Sequence, residues 1–574
     1  MRKLWSAFKR FVFPPAGSPT WLRALPFAIA GVLTLAVIYG SVEAWTYTNS
    51  SEFCGTTCHT MPPQFSAYLQ SPHARVQCTE CHIGRDVVTT QFTRKAGDLR
   101  HVIFTITKNY EYPIRSKNMR PARDSCEKCH YPEKFSDDSL REIRHYSGVN
   151  NSEKSTFLLL KTGGGSQREG LGRGIHWHIE NQVYYLATDE LEQDIPYVRT
   201  VDEEGNIKEY YDIASGVTPD DVAGSTLKEM DCITCHNRIT HRIPSPETAI
   251  SEALSKKLIS SDLPDIYNQS VALLQAPYPD QETAFTAMTS LQDFYADNYP
   301  EVYSEQQDEI ESAVSHLEVI YSQIVFRDQK IDWNTYPDNV GHKNDPGCFR
   351  CHDGKHLTGQ EEAIRLECNL CHSVPVQSDE TVLVTDLELV RGPEPPSHTH
   401  SSWITLHGKV IDTSCAACHT PADDSVDYTQ LTGKPPADGS FCGNAACHGT
   451  EWVYSGFDSP ELQPVLDRQK YILLHTSPYL LEGVPRNYEE TFKALFNGRC
   501  AGCHSGNNPE AGLDLTSYKS ILAGSADGPV LIPGDPAASM IIQRQSQSEP
   551  HFGQVLPDEL EALRAWIAAG APEK

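Results

Sequence analysis

One long apolar stretch stands near the amino terminus. Ala24 to Val42 runs for 19 residues without a charge, enough to cross a hydrocarbon layer of about 30 Å at about 1.5 Å per residue. It predicts one membrane-spanning helix. Beyond it the apolar positions are sparse and follow two periods. Val183 to Leu186 reads as a strand, and the turn-rich segment 201–207 as a hairpin. In an extended Ile175–Ile179, alternation puts His176 and His178 on one face. Further on, Ile250, Leu254 and Leu258 follow Pro246 at helical spacing, with the proline at a first helical position. Ile310, Ala313, Val314, Leu317, Ile320 and Tyr321 make a second helical stripe, with His316 at its exposed edge. Near the end, Asn487 and Glu490 cap a helix carrying Phe492, Leu495 and Phe496, and Pro557 to Ile567 is an amphipathic helix stopped by Gly570.

These elements leave the chain short of core. A chain of 574 residues has room for about three or four ordinary domains. Yet it is only 39% hydrophobic, with 38 prolines and 37 glycines. Some further apolar body has to fill the interior.

The cysteines identify that body. All 18 fall in nine segments in which histidine directly follows the second cysteine. Seven have the regular two-residue gap: Cys78/Cys81/His82, Cys126/Cys129/His130, Cys232/Cys235/His236, Cys348/Cys351/His352, Cys368/Cys371/His372, Cys415/Cys418/His419 and Cys500/Cys503/His504. Two are stretched, with three residues inside Cys54/Cys58/His59 and four inside Cys442/Cys447/His448. Two thiols that add to porphyrin vinyl groups, with an adjacent imidazole for the iron, are what covalent haem attachment requires. Zinc ribbons also use paired cysteines, but nothing in their chemistry calls for histidine at the next position nine times in nine. The pattern therefore predicts nine covalently attached haem c groups, whose macrocycles supply the missing interior. No cysteine is left for a disulfide or a nucleophile.

Charge adds direction. Arg2, Lys3, Lys9, Arg10 and Arg23 precede the apolar run, and the first acid is Glu43. That asymmetry keeps the amino terminus cytoplasmic and exports the rest to the periplasmic or extracellular side. A signal peptide cleaved near Val42-Glu-Ala44 is the alternative, but the apolar run exceeds the usual h-region of about 7–15 residues. Overall the formal net charge is −28, which argues against nucleic acid and favours a redox partner with a basic surface, or else serves solubility alone.

From Ser50 to about Tyr146 the chain resembles the NapC/NirT family of membrane-anchored quinol dehydrogenases. The residues that carry the likeness are the single amino-terminal helix, Cys58-His59-Thr-Met61, then Tyr68-Leu-Gln-Ser-Pro-His73, and the motif ending at His82. The resemblance implies Met61 as a ligand of the first haem, His73 as a distal ligand of another, and Lys95 with Asp98 as a quinol site. A cation that orients the quinol oxygen and a carboxylate that accepts its proton are suited to that chemistry. A solvated helix face is the alternative for both. The extra residue in the first motif departs from the family pattern.

Of 23 histidines, 14 lie outside the motifs. His145 in Arg-His-Tyr, His176 or His178, His241 and His407 are further distal candidates. Resemblance to extended, higher-haem members of the superfamily adds His342 and His356. Resemblance of the carboxy-terminal segment to a monohaem cytochrome c adds His551, beside Phe552 where such domains normally place methionine. His398, His400 and His475 stand in reserve, and Met540 is a weaker candidate.

The predicted fold is a multihaem cytochrome c. It is mainly α, with much irregular structure, a small β-hairpin region, one amino-terminal transmembrane helix and a helical cytochrome c-like carboxy-terminal domain. Six consecutive blocks are expected: 1–47, the basic tip and anchor; 48–150, haems 1–3; 151–245, a β-containing insertion with haem 4; 246–340, a cysteine-free helical scaffold; 341–484, haems 5–8; and 485–574, haem 9. Three functions remain open: a carrier from membrane quinol to an outside acceptor, a relay subunit of a larger complex without its own quinol site, and a reductase with one open iron.

Overall fold

The computed structural model describes residues 2–378 and 453–574, apart from 16, 98, 117–118, 132–137, 164–173, 203–204, 367–369, 374–375, 457, 502, 507–508 and 548–552. The chain divides into two compact units. The first comprises Met1–Tyr131, Tyr146–Ser152 and His236–Tyr336; the second comprises Pro132–His145, Glu153–Cys235 and Pro337–Lys574. Each is discontinuous in sequence.

The first unit opens with α1 (Arg2–Val12) and α2 (Thr20–Asn49). Among the described residues α2 alone is long and apolar enough to cross a membrane, and it exposes Phe27, Val32, Leu35 and Ile38 around its circumference. A helix apolar on every side fits lipid rather than water. Shorter helices follow: α3 (Ser51–Thr57), α4 (Pro62–Gln70), α5 (Cys78–His82), α6 (Val88–Gly97) and α7 (Leu99–Thr107). Gly55 of α3 lies so close to α4 that a Cβ there would overlap the Phe65 ring.

The scaffold helices Pro246–Ser255, Ile266–Gln275, Gln281–Asn298 and Gln307–Ile324 bury Ile250, Leu274, Met288, Ile310 and Leu317 completely in one core. Pro246 occupies the first turn, and the Ser245 hydroxyl accepts from Thr248 N. The second stripe packs as its period predicts, with Ile320 at the margin, while His316, expected to be exposed, is half-buried, its Nδ1 on Ser312 O at 2.8 Å. Leu258 does not follow its stripe and is 48% exposed. Its helix ends at Ser255 and Lys257 turns to a positive φ of 56°, so the spacing stops counting there.

In the second unit, β1 (Ser139–Ser147), β2 (Ser152–Leu160) and β8 (Val376–Ser378) form one sheet, with β2 in the middle and the tip of the β1–β2 hairpin assigned to the first unit. A five-stranded antiparallel sheet has the order β6 (Lys228–Glu229), β3 (Gln182–Leu186), β4 (Tyr197–Val201), β5 (Ile207–Asp212), β7 (His356–Leu357). This is more sheet than the small hairpin region predicted. Val183, Tyr185 and Val198 point inward, while Tyr184 and its cross-strand partner Arg199 stack outward at 4.9 Å. His176 and His178 are not on a strand: Trp177–Glu180 is a short helical turn with His176 at its N-cap.

The carboxy-terminal helices Lys493–Arg499, Tyr518–Ala523, Met540–Gln545 and Pro557–Ala568 surround Phe492, Phe496, Leu563 and Trp566. Asn487 Oδ1 accepts from Glu490 N at 2.8 Å, although the first turn it caps, Tyr488–Phe492, is a π-turn. The buried Glu559 carboxylate receives Ser477 Oγ at 2.6 Å, Leu556 N at 2.8 Å and Arg499 Nη2 at 2.9 Å.

Candidate haem-binding sites

The motif spacing becomes intelligible as one helical turn. His130 N donates to Cys126 O at 2.8 Å, His352 N to Cys348 O at 3.0 Å and His504 N to Cys500 O at 2.9 Å. Positions i, i+3 and i+4 of such a turn share a face, so both thiols and the imidazole are presented together. The stretched first motif departs from this: α3 ends at Thr57 and Cys58 is extended. Its Cys54 thiol nevertheless lies beside that of Cys78 in the second motif, which helps to raise its pKa. Burial pushes the Cys235 thiol up to about 11 and those of Cys351 and Cys500 to about 12. These sulfurs stay uncharged and face the interior.

Two of the motif cysteines have distinct local surroundings. Cys129 is exposed, and its Sγ accepts from Arg85 Nη1 at 3.3 Å. It follows the 3-10 turn Cys126–Lys128. Cys371 is half-buried and stands at a bend instead of on a helical turn. Its carbonyl accepts from Lys161 N at 2.9 Å, and His372 bridges to Leu160. Strand-like pairing with the end of β2 has replaced the turn there, and its motif partner Cys368 lies outside the described residues.

The imidazoles give the test of fit. A metal bound by two imidazoles at about 2 Å separates their ring centres by roughly 6 Å. Four motif histidines have a partner at that separation: His130 with His73 at 6.0 Å, His82 with His241 at 6.2 Å, His352 with His178 at 5.7 Å and His372 with His342 at 6.3 Å. The outer nitrogens are tied back to the main chain. Nδ1 donates from His241 to Gln64 O at 3.1 Å, from His178 to Ile175 O at 2.7 Å, from His372 to Ser373 O at 2.6 Å, and from His352 to Arg365 O. A carbonyl can only accept, so each ring is fixed in the tautomer whose Nε2 lone pair is free to ligate. Burial, reinforced by Arg238 and His82, lowers His241 to about 4, and burial next to His178 lowers His352 to about 4. Both therefore remain neutral, the form that binds iron. His73 Nδ1 is buried without a hydrogen-bond partner. The residues present fit haem c at these four positions.

Other expected ligands lie differently. His356 is buried, with Nδ1 donating to Asp353 Oδ1 at 2.9 Å and Nε2 to Ile195 O at 2.6 Å. Both nitrogens are occupied here, unlike those of the paired imidazoles. His145 sits half-buried on β1 beside Lys343, and no imidazole pair forms there among the described residues. His176 Nδ1 donates to Thr162 O at 2.5 Å. His59 meets the Tyr110 hydroxyl instead of a histidine, and Met61 is half-buried at the N-cap of α4. His236 and His504 close their motifs, the latter with Nδ1 on Glu510 O at 3.2 Å. His475 ends the helix Gln463–His475, and Met540 opens Met540–Gln545. Asp98, Cys368, His398, His400, His407, Cys415, Cys418, His419, Cys442, Cys447, His448, His551 and Phe552 lie outside the described residues.

Lys95 reaches back to the end of α2. Its Nζ donates to Thr48 O and Oγ1, both at 2.8 Å, and to Asn49 Oδ1 at 2.7 Å, and lies 5.0 Å from the Trp45 ring centre. A cation at the carboxy-terminal end of a helix is favoured by the helix dipole, while burial lowers the pKa of this one. Trp45 in turn stacks on Phe92 at 6.2 Å. Sequence reasoning found Lys95 but passed over this aromatic pair, although Trp at the end of an apolar run signals a membrane interface. Tyr110 carried no signal, since its role depends wholly on where the chain folds back.

Comparison with known proteins settles the class. Residues 19–123 match the model of the NapC/NirT cytochrome c family, N-terminal region. Cytochrome c-type protein ImcH of Geobacter sulfurreducens is 37% identical over 414 residues, covering 71% of this chain and 80% of its own length. The chain belongs to the NapC/NirT cytochrome c family. Another NapC/NirT relative, cytochrome c-type protein NrfH of Wolinella succinogenes, is 32% identical over 108 residues, 18% of this chain and 60% of its own length. Residues 500–551 match the Planctomycete cytochrome C model, consistent with a carboxy-terminal cytochrome c domain. No solved structure matches. Membership of the NapC/NirT family makes this an electron-transport protein with covalent haem c and a membrane anchor.

Proposed function

We propose that this cytochrome carries nine haems, oxidises quinol at the inner membrane and delivers electrons to an acceptor on the periplasmic or extracellular side. What carries the electron-transfer reading is the four imidazole pairs, because a position flanked by two histidines leaves no vacancy for a substrate. Haem c, when bound, supplies one-electron oxidation and reduction. The protein holds His241, His178, His372 and His352 by a carbonyl on Nδ1, keeps His241 and His352 neutral by burial, and anchors the assembly through α2. Lys9, Arg10 and Arg23 keep the amino terminus cytoplasmic. Cys129 and Cys371 are assigned to haems by their motifs, despite their different surroundings. Met61 serves the first haem, and His145, His176, His407 and His551 are assigned to the haems left without a pair.

For quinol, the reading rests on Lys95 at the membrane end of α2, beside the flat surface of Trp45 and Phe92. Lys95 would orient the quinol oxygen and Asp98 would accept its proton. One observation favours the relay alternative: the Lys95 ammonium already has three acceptors. Stopped-flow reduction of the oxidised, membrane-embedded protein by a short-chain menaquinol decides between them. The quinol reading expects fast reduction that Lys95→Ala slows by about a hundredfold, in the range typical of a lost proton-transfer or positioning group. Reduction by dithionite alone would make the chain a relay.

A further inference from the structure

The helix α1 is unlike the membrane helix that follows it. Trp5, Phe8, Phe11 and Val12 fall on one arc of its circumference, while Ser6, Lys9 and Arg10 fall on the opposite one. The apolar arc is bare: Trp5 is 67% exposed, Phe8 57% and Phe11 41%, with Trp5 stacked on Phe8 at 5.9 Å. Phe13 and Trp21 extend the exposed aromatic surface to the start of α2. A contiguous aromatic surface in water is costly and marks an interaction site. Two facts identify what covers it. The connector between Val12 and Thr20 is seven residues long, which at about 3.5 Å per residue keeps α1 within roughly 25 Å of the point where α2 enters the bilayer. The face opposite the aromatics is basic, which complements anionic headgroups, and the acidic residues of this chain begin only at Glu43, beyond the apolar run and so on the other side of the bilayer from α1.

We infer that α1 is an anionic-phospholipid-binding helix, lying in the headgroup layer at the Thr20 end of α2 with Trp5, Phe8 and Phe11 in the acyl boundary and Lys9 and Arg10 among the phosphates. This rests on α2 spanning the membrane, and on nothing about quinol. Because every native cysteine belongs to a haem motif, one introduced cysteine gives a single free thiol for a nitroxide label in the full-length holoprotein. The labelled protein is placed in nanodiscs of phosphatidylglycerol or phosphatidylcholine, and relaxation by oxygen is compared with relaxation by a water-soluble nickel chelate. Labels at Trp5→Cys, Phe8→Cys and Val12→Cys should favour oxygen, and labels at Ser6→Cys and Arg10→Cys the chelate, most sharply in phosphatidylglycerol. Adding Lys9→Gln to the Phe8→Cys protein should cut the odds of the embedded state about fivefold, from about 1 kcal/mol per basic residue at an anionic surface. Equal chelate access at all five positions, or shielding of position 8 from both relaxants by a protein cover, overturns the inference. A Leu35→Cys label separates the causes: chelate access there as well would overturn the α2 span itself, and oxygen access there confines the failure to α1.

Discussion

His241 and His356 show how differently two buried histidines can be used. One donates a single N–H to a carbonyl and has its ring centre 6.2 Å from that of His82; the other donates both N–H groups and is closed. Replacing His241 by Ala should therefore leave His82 unopposed and produce a new high-spin signal in the electron paramagnetic resonance spectrum. His356→Ala should leave that spectrum unchanged, and a high-spin signal there would return His356 to the ligand set. His356 has a different observable. Burial opposes its charge, but Asp353 outweighs burial and raises the imidazole above its usual 6.5. A raised folded value means that stabilisation is complete below about 6.5 and is lost as pH climbs through the folded pKa. His356→Leu, which strands the Asp353 carboxylate, should cost about 3 kcal/mol at pH 6, and the gap from wild type should narrow in thermal melts above that pKa. At this scale the sequence was generous with motif residues, because their chemistry is local. It could not separate His241 from His356, since the partners that decide, Gln64 O and Ile195 O, are far away along the chain. Nor could it tell Cys129 from the other thiols, because Arg85 reaches it from outside its motif.

Elements were legible in proportion to their periodicity. The scaffold helices show a 3.6-residue stripe over several turns, and they were found with their buried faces. The sheet was underestimated because β4 and β5 mix Arg199, Thr200, Lys208 and Glu209 into their alternation, and a strand whose outer face is charged gives little contrast against loop. The histidines at 176 and 178 were assigned to a strand because five residues are too few to tell alternation from a single helical turn. The fit of α3 against α4 was equally invisible, because it depends on what Gly55 lacks. Gly55→Ala would drive a methyl into Phe65, and the overpacking should cost about 1–3 kcal/mol. Proteolysis and mass spectrometry should then find less haem on the Cys54–Cys58 peptide, while the Cys500–Cys503 peptide keeps its full complement.

At the scale of the molecule, composition called for a further apolar body and the cysteine motifs named haem for it, but neither told how the chain would divide. Both units are assembled from separated segments, which no reading of consecutive blocks can anticipate. The net charge of −28 makes a long-range prediction that needs no fold. Oxidation of the reduced protein by a cationic cobalt(III) complex should slow severalfold as ionic strength rises, and oxidation by an anionic complex should quicken. Equal and opposite slopes would locate the exit in an acidic region, and flat ones would reduce the charge to a matter of solubility.

The pairing of His82 with His241 also sets a timetable. A ribosome delivers the chain from its amino terminus, so the Cys78–His82 segment is made long before the residue that faces it. Until His241 arrives, His82 has no imidazole facing it, and under the proposed ligation a small molecule able to bind iron would stand in its place. The His178–His352 pair waits in the same way but in the other sense, with the motif arriving last. The order of birth along the polypeptide thus differs from the order of closure in the finished protein, and a chain cut short before residue 241 would keep its second attachment site yet never complete it.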